Sequence, residues 1–237
     1  MHLSIIIPTL EEEKYLPLLL GSIKKQTFKG EYEIILADAG SRDKTVEIAK
    51  NYGCKIIAGG SPARGRNEGV KIAKGELILF LDADTILPEN SLENFIFEFK
   101  KRNLGIAGFL LRPFGKRKFL EILYNIFYNF PILALEKILP HNAGATLIKK
   151  SLHQKIGGFD EKIKLAEDQV YARKAARFGR FGILRSVKVY YSQRRFERDG
   201  WFKTYIKYIA AEFHLIFFGQ IKSNIFKYNI QSKRFRK

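Results

Sequence analysis

The sequence predicts an α/β fold in which helices cover both faces of a mostly parallel sheet. Short β-branched runs alternate with helical patterns through the first hundred residues, and this alternation implies that the strands pair in parallel. The strand-like runs are continuously apolar, which is typical of strands buried on both faces. A chain of 237 residues with 46% hydrophobic residues can fill the core that such a sheet needs.

Four strands and the helices between them can be placed in this region. A first helical pattern begins at about Glu11. Ser41 or Asp43 is positioned to cap the second helix, and Gly53 is positioned to end it. A third helix follows a glycine-rich stretch. The predicted strands are residues 3–7, 32–37, 54–58 and 76–81.

The second half of the chain is less regular. Residues 116–140 are aromatic and apolar, but polar residues and Pro131 interrupt them. A membrane-spanning helix needs ~20 predominantly apolar residues, so we predict a core or interfacial helix pair here. A strand, a helix and a glycine turn are expected at 143–161, followed by a helix that opens near Glu167 and Asp168.

The C-terminal residues predict a long amphipathic helix. Lys203 and Lys207 flank its apolar stripe, a pattern expected of a helix that lies in a membrane interface. The alternative is that the stripe packs on the domain and the lysines face solvent. We therefore predict a catalytic domain at 1–192, with halves at about 1–100 and 101–192, and a basic aromatic extension at 193–237. The stripe consists of Phe202, Tyr205, Ile206, Ile209, Phe213, Ile216 and Phe217.

Charge is distributed unevenly. The formal net charge is +18, of which residues 171–237 carry +14. This asymmetry indicates an anionic partner: membrane phosphates, nucleic acid or a phosphorylated substrate. The single cysteine, Cys54, excludes an internal disulfide framework, and the N-terminal residues do not resemble a secretory signal. We expect the catalytic part to face the cytosol.

Polar residues follow the ends of the predicted strands. In parallel sheets, ligands bind outside the carboxyl ends of the strands, so Thr9, Asp38, Asp82 and Asp84 should lie in one crevice. Two carboxylates one residue apart repel each other unless a cation lies between them, and oxygen ligands with open positions favour Mg²⁺ or Mn²⁺. The alternative is that Asp82 and Asp84 satisfy backbone donors of the following loop.

Six segments in order resemble the family 2 glycosyltransferases of the GT-A fold. They extend over residues 4–179, about three quarters of the chain. The resemblance implies a Rossmann-like three-layer sandwich, a nucleotide diphosphate sugar as donor, and Mg²⁺ or Mn²⁺ as cofactor. The segments are PTLEEEKYL, ADAGSRDKT, ARGRNEGVKIAKGE, LFLDADT, GGFDE and AEDQVYARKAARFG.

The resemblance assigns nucleoside contacts to the ends of the first two strands. Pro8, Thr9 and Glu11 occupy the positions of the loop that contacts the nucleoside. Asp38 occupies the position that binds the base or ribose. The family motif has two successive aspartates there, whereas this chain has Ala39 second, which leaves the identity of the base open.

The remaining site residues follow from the same resemblance. Arg66 and Asn67 lie beside the nucleotide, while Asp82 and Asp84 form the DxD motif that binds the metal and the sugar-nucleotide diphosphate. Asp168 matches the catalytic base, which removes the proton of an acceptor hydroxyl. An alternative for Asp168 is that acidic residues favour helix N-termini.

Arg194 and Arg195 belong to a segment similar to an arginine-arginine-aromatic motif of some family 2 members. They are candidates to bind the diphosphate or a lipid phosphate; alternatively they belong to a solvated basic face. The segment lacks the QxxRW pattern of processive synthases, which argues against a chain-extending enzyme.

The function expected from the sequence is a metal-dependent, inverting glycosyltransferase, peripheral on the inner face of the cell membrane, with a lipid-linked acceptor. If the acceptor were a lipid phosphate, its oxygen would already be ionised and Asp168 would not be needed.

Alternatives are a noncatalytic nucleotide-sugar-binding protein, which Ala39 suggests, and a nucleic-acid-binding protein, which the basic C-terminus suggests. A nucleotidyltransferase would need a glycine-rich basic loop after the first strand, where this chain is acidic.

Overall fold

The computed structural model describes residues 2–115 and 118–222, except the side chain of Phe202. The part of the C-terminal prediction that concerns residues 223–237 lies outside the described residues, as does the predicted place of the Phe202 side chain in the apolar stripe.

A single sheet organises the molecule, with the strand order β3-β2-β1-β4-β7-β6-β8-β5. The first four strands pair in parallel, as do β6 and β8. Strand β7 runs antiparallel to both of its neighbours, and β5 runs antiparallel to β8. The predicted mostly parallel sheet is confirmed. The strands are β1 His2–Thr9, β2 Glu31–Asp38, β3 Lys55–Ala58, β4 Leu77–Leu81, β5 Thr85–Ile86, β6 Ile106–Pro113, β7 Ala145–Lys149 and β8 Phe181–Tyr191.

Helices cover both faces of the sheet. Ile5 and Ile7 of β1 belong to one buried cluster, while Ile6 belongs to a second on the opposite face, because successive side chains of a strand alternate in direction. The helices are α1 Leu16–Lys24, α2 Thr45–Asn51, α3 Pro62–Ile72, α4 Ser91–Lys101, α5 Lys118–Tyr124, α6 Phe130–Ala134, α7 Lys150–Lys155, α8 Glu167–Ala176, α9 Arg194–Asp199 and α10 Trp201–Phe217.

Two predicted elements differ from those observed. Helix α1 begins at Leu16 because Glu11 has φ of 55°, a left-handed conformation that no helix contains. The predicted helix pair at 116–140 is one helical run, in which a π-helical turn at Asn125–Asn129 joins α5 to α6. The wide turn directs the Asn129 amide onto β6, where it bonds both the backbone N–H and the C=O of Leu111.

The division at residue 192 stays a prediction. Phe196, on α9, lies beyond that boundary and packs into the buried cluster that contains Ile5 and Ile7. Its ring stacks on Trp201 with centroids 4.5 Å apart, and Trp201 in turn contacts Tyr124 of α5. The described part of the extension therefore shares a core with the strands.

Close contact between α3 and β1 depends on Gly69. A Cβ at this position would lie 2.5 Å from Cγ2 of Ile6. We expect Gly69→Ala to lower the free energy of unfolding by about 1–3 kcal/mol, because the buried strand cannot move away. Urea denaturation measures this change.

Gly21→Ala is the matched control. Gly21 lies in α1, where an added Cβ meets only the Tyr52 hydroxyl at 3.7 Å. Alanine there should stabilise the protein by up to ~1 kcal/mol through its higher helix propensity. Equal effects of the two substitutions would contradict the close-contact explanation.

Candidate active site

The carboxyl ends of β1, β2 and β4 meet at one edge of the sheet, as the parallel pairing requires. At the ends of β1 and β2, the Thr9 hydroxyl donates to an Asp38 carboxylate oxygen over 3.2 Å. Asp38 also accepts bonds from the backbone N–H groups of Gly40 and Ser41 and from the Ser41 hydroxyl. The Asp38 carboxylate thus fixes the loop that follows β2.

A cavity of about 480 Å³ opens beside this loop. Its walls are apolar on the side of β3 and polar at Asp38, a combination suited to a flat base with few polar edges. Ala39 lies in the wall where the family motif has a second carboxylate. The lining residues are Asp38, Ala39, Gly40, Val46, Ile56, Ile57, Ala58, Gly59 and Gly60.

A buried guanidinium connects the sheet edge to α8. Arg66, on α3, donates to Asp82 over 2.8 Å and to Glu167 over 2.9 Å. Burial opposes its charge, but Asp82, Glu167 and Asp168 together raise the pKa of Arg66. Arg66 therefore holds carboxylates from β4 and α8, 85 residues apart in sequence, around one positive charge.

Asp168 lies in the first turn of α8, beside Glu167. Asp168 is half-buried, and this burial, aided by the negative charge of Glu167, raises the pKa of Asp168 to about 8, although Arg66 acts in the opposite direction. A carboxyl that titrates near neutrality is suited to accept a proton during a reaction. Ala166, which precedes α8, has φ of 60°, so a left-handed residue sets the direction of this turn.

A second arginine forms an ion pair with the other carboxylate of the DxD motif. Arg194 of α9 approaches Asp84 with Nε at 2.9 Å and makes two bonds of 2.7 Å to Glu12. Asp84 is almost fully buried, and this burial raises its pKa to about 7 despite the arginine. Sequence reasoning missed Glu12, because nothing in the sequence distinguishes it from its neighbours Glu11 and Glu13.

Other predicted site residues lie nearby with defined contacts. The backbone N–H of Glu11 donates to the Ser41 hydroxyl, and Pro8 lies beside α3 at the end of β1. Asn67 forms paired bonds with the backbone of Phe159, and Arg195 donates to the Tyr208 hydroxyl over 2.9 Å. These contacts position loops, and the nucleotide contacts assigned to these residues stay predictions.

The donor set suits a hard divalent cation. Asp82 and Asp84 offer only carboxylate oxygens, the ligands that Mg²⁺ and Mn²⁺ prefer. Within residues 2–115 and 118–222, no group of three or more His, Cys, Asp or Glu side chains is assembled that could hold a metal by itself. A cation between these aspartates would take its other ligands from water and a diphosphate.

This fold is that of the GT-A nucleotide-diphospho-sugar transferases. Residues 4–159 match the model of glycosyl transferase family 2, which is about two thirds of the chain. The chain therefore belongs to glycosyl transferase family 2, and the predicted resemblance is confirmed.

Sequence relatives are bacterial transferases. The chain is 28% identical over 207 residues to the poly(ribitol-phosphate) beta-N-acetylglucosaminyltransferase TarS of Staphylococcus aureus strain Mu50, covering 82% of this chain and 36% of that protein. It is 34% identical over 193 residues to a poly(ribitol-phosphate) beta-glucosyltransferase of Bacillus spizizenii strain W23, covering 74% and 29%. The chain thus spans about a third of the length of these relatives.

Solved structures share the fold. Residues 1–349 of S. aureus TarS match with a TM-score of 0.67 at 25% identity, covering 90% of this chain and 66% of that chain. The mannosyltransferase PcManGT of Pyrobaculum calidifontis, in complex with GDP-Man and Mn²⁺, matches with a TM-score of 0.74 at 21% identity, covering 95% and 66%. The second likeness shows the fold alone.

The raised pKa of Asp168 has a predicted effect on stability. Its pKa of about 8 in the folded state exceeds the ordinary value of about 3.9, so folding binds a proton and stability falls as pH rises between these values. Asp168→Asn removes the loss of stability that ionisation of this carboxyl causes. Thermal denaturation should show a higher Tm than the parent protein at pH 9, and a smaller difference at pH 5.

Asp199→Asn is the control for this measurement. A hydrogen bond from Arg198 lowers the pKa of Asp199, so its ionised form favours folding and its replacement should not raise Tm at pH 9. A pH-independent difference for Asp168→Asn would contradict the predicted titration.

Proposed function

We propose that this protein transfers a sugar from a nucleotide diphosphate sugar to an acceptor hydroxyl or phosphate, with inversion at the anomeric carbon. The observation that carries the proposal is the pairing of Arg66 with both Asp82 and Glu167, because it places the DxD carboxylates and the Asp168 helix in one crevice. The cavity beside Asp38 lies at the same sheet edge and suits the nucleoside. Membership of the family supports this activity.

Each group of the crevice has a role in this reaction. Bound at Asp82 and Asp84, Mg²⁺ or Mn²⁺ supplies charge neutralisation to the diphosphate leaving group. Arg194 lies beside Asp84 and can add bonds to the same phosphates. Asp168 receives the proton of an acceptor hydroxyl, and Glu167 keeps Arg66 in place.

Donor binding should depend on Asp84. Calorimetric titration with UDP-, GDP- and dTDP-sugars, with and without Mn²⁺, should show one donor that binds more tightly with the metal. Asp84→Asn should weaken that binding at least tenfold, because one ligand of the cation is lost.

The matched control is Asp199→Asn, which changes an aspartate paired with Arg198 at the surface. It should leave donor binding unchanged. Failure of every donor to bind would refute both the proposed transferase and the noncatalytic nucleotide-sugar-binding alternative. It would leave the nucleic-acid hypothesis, which requires binding that weakens steeply with salt.

The exposed apolar side chains support a membrane location. In the described residues, 17 large apolar side chains are exposed, and 13 of them lie between Phe119 and Ile138 or between Ile206 and Phe218. The two segments lie side by side, because the hydroxyl of Tyr205, which directly precedes the second segment, donates to the Phe127 carbonyl over 2.7 Å and the Tyr205 and Phe127 rings pack together. We call these two segments the apolar surface.

Lysines border the apolar surface, among them the exposed Lys118, Lys137 and Lys203. Basic residues around apolar ones suit an anionic bilayer surface. Along residues 2–115 and 118–222, no helix combines the length and apolar character needed to cross a bilayer. We propose peripheral attachment at the cytosolic face, with an acceptor linked to lipid.

A charged substitution within the apolar surface should weaken membrane binding. Phe213 is 55% exposed on α10, and Phe213→Glu should reduce co-sedimentation with vesicles of anionic phospholipid several-fold. Phe97 is 66% exposed on α4, outside this surface, so Phe97→Glu is the control that should still bind. Equal loss in both variants would show that binding requires only the net charge of the protein.

A further inference from the structure

The two arginines of the crevice differ in how firmly their surroundings hold them. The Arg66 side chain is only 7% exposed and bonds two carboxylates. The Arg194 side chain is 40% exposed, whereas its partners Glu12 and Asp84 are buried. Arg194 is therefore the arginine that can change partner, because its own side chain is partly open to solvent while the carboxylates beside it are enclosed.

Backbone contacts fix the carboxylates on both sides of Arg194. The Ser192 backbone N–H donates to the Asp84 carbonyl over 3.1 Å, where β5 pairs with β8. On the other side, the Glu12 backbone N–H donates to the Thr45 hydroxyl over 2.8 Å. Thr45 is the first residue of α2, directly after the loop that follows β2. The chain thus holds both carboxylates through bonds in which the Arg194 side chain takes no part.

The bonds of the Arg194 guanidinium are divided unequally between its partners. Nη1 and Nη2 each bond Glu12 over 2.7 Å, whereas Nε approaches Asp84 Oδ2 at 2.9 Å. The guanidinium also lies over the Tyr15 ring, with Cζ 5.0 Å from the ring centroid. A paired contact with a carboxylate is stronger and more directional than a single one. Release of Asp84 would break one bond of three, while Glu12 and Tyr15 keep the guanidinium in place.

Arg194 and a divalent cation would compete for Asp84. A cation bound at Asp82 and Asp84 would share the second carboxylate with a positive guanidinium, and like charges close together repel each other strongly in a buried place. The two positive groups therefore weaken each other's contact with Asp84 unless Arg194 finds another anionic partner. A diphosphate offers that partner, since phosphate oxygens accept bonds from a guanidinium as carboxylates do.

We propose that Arg194 makes cation binding at Asp84 depend on the nucleotide. Without a diphosphate, Arg194 neutralises Asp84 and disfavours Mg²⁺ or Mn²⁺ there. With a diphosphate, Nε bonds a phosphate oxygen and leaves Asp84 to the cation. Glu12 is a positioning residue in this exchange, because it retains the guanidinium in both arrangements. The inference rests on the proposed function and adds an interdependence between the ligands of that site.

Mn²⁺ titration of the full chain, followed by the electron paramagnetic resonance signal of the free ion, tests the exchange without a transfer assay. In the absence of nucleotide, Arg194→Gln should raise Mn²⁺ affinity about fivefold or more, the lower end of typical coupling between sites. With saturating UDP, GDP or dTDP, whichever binds in calorimetry, the variant should bind Mn²⁺ no more tightly than the parent. A nucleotide blank corrects for Mn²⁺ bound to the nucleotide in solution.

Simple charge repulsion predicts a different result. A positive charge that only repelled the cation would lower Mn²⁺ affinity by the same factor with and without nucleotide. An equal gain in Arg194→Gln under both conditions would therefore overturn the exchange. Arg198→Gln is the control, because it removes a positive charge from the same helix, where Arg198 pairs with Asp199. It should leave Mn²⁺ affinity unchanged, and an effect as large as that of Arg194→Gln would likewise overturn the inference.

A second variant keeps the inference testable if Arg194→Gln fails to fold. Loss of Arg194 leaves two buried carboxylates without their arginine, whereas Glu12→Gln keeps Arg194 paired with Asp84. Of the two carboxylates that Arg194 bonds, Asp84 then remains, so Mn²⁺ affinity without nucleotide should fall several-fold below that of the parent. An affinity equal to that of the parent, or above it, would contradict both the role of Glu12 and the exchange.

The same titrations separate the inference from the proposed function. Nucleotide binding together with equal Mn²⁺ affinities in the parent and in Arg194→Gln would refute the exchange alone. Absence of nucleotide binding in the parent, whichever base is offered, would refute the transferase and the exchange together.

Discussion

The crevice depends on the neutralisation of buried acidic groups by two arginines. Glu12, Asp82, Asp84, Glu167 and Asp168 come from three separate regions of the chain, and their mutual repulsion would open the crevice if nothing opposed it. Arg66 and Arg194 each bond two of these carboxylates. The pairing is costly to disrupt, because loss of one partner leaves an uncompensated charge in a buried place. Neither arginine bonds Asp168, and burial raises the pKa of its carboxyl.

The sequence determined the architecture well because its signals are local. Continuous apolar runs marked β1 to β4 within one or two residues, and the rule that strand ends share an edge correctly brought Thr9 close to Asp38. The start of α1 was missed because the left-handed residue is Glu11, whereas glycine or asparagine would have indicated such a conformation in the sequence. The π-helical turn was missed because it serves the contact of Asn129 with β6, which is distant in sequence.

The same difference between local signals and contacts distant in sequence applies to the site residues. The sequence proposed the aspartates of the DxD motif because they directly follow a predicted strand, and Asp168 because a family motif surrounds it; these roles stay predictions. Glu12 was not found, since its importance comes from Arg194, 182 residues away.

The cavity beside Asp38 and the acidic crevice are encoded differently. All the residues that line the cavity fall within positions 38–60, a continuous stretch that includes β3. The carboxylates of the crevice come from three separate regions of the chain, which Arg66 and Arg194 hold together. Under the proposed function, exchange of one short segment would therefore be enough to change the base that is selected. A change at the crevice would require compensating changes in all three regions.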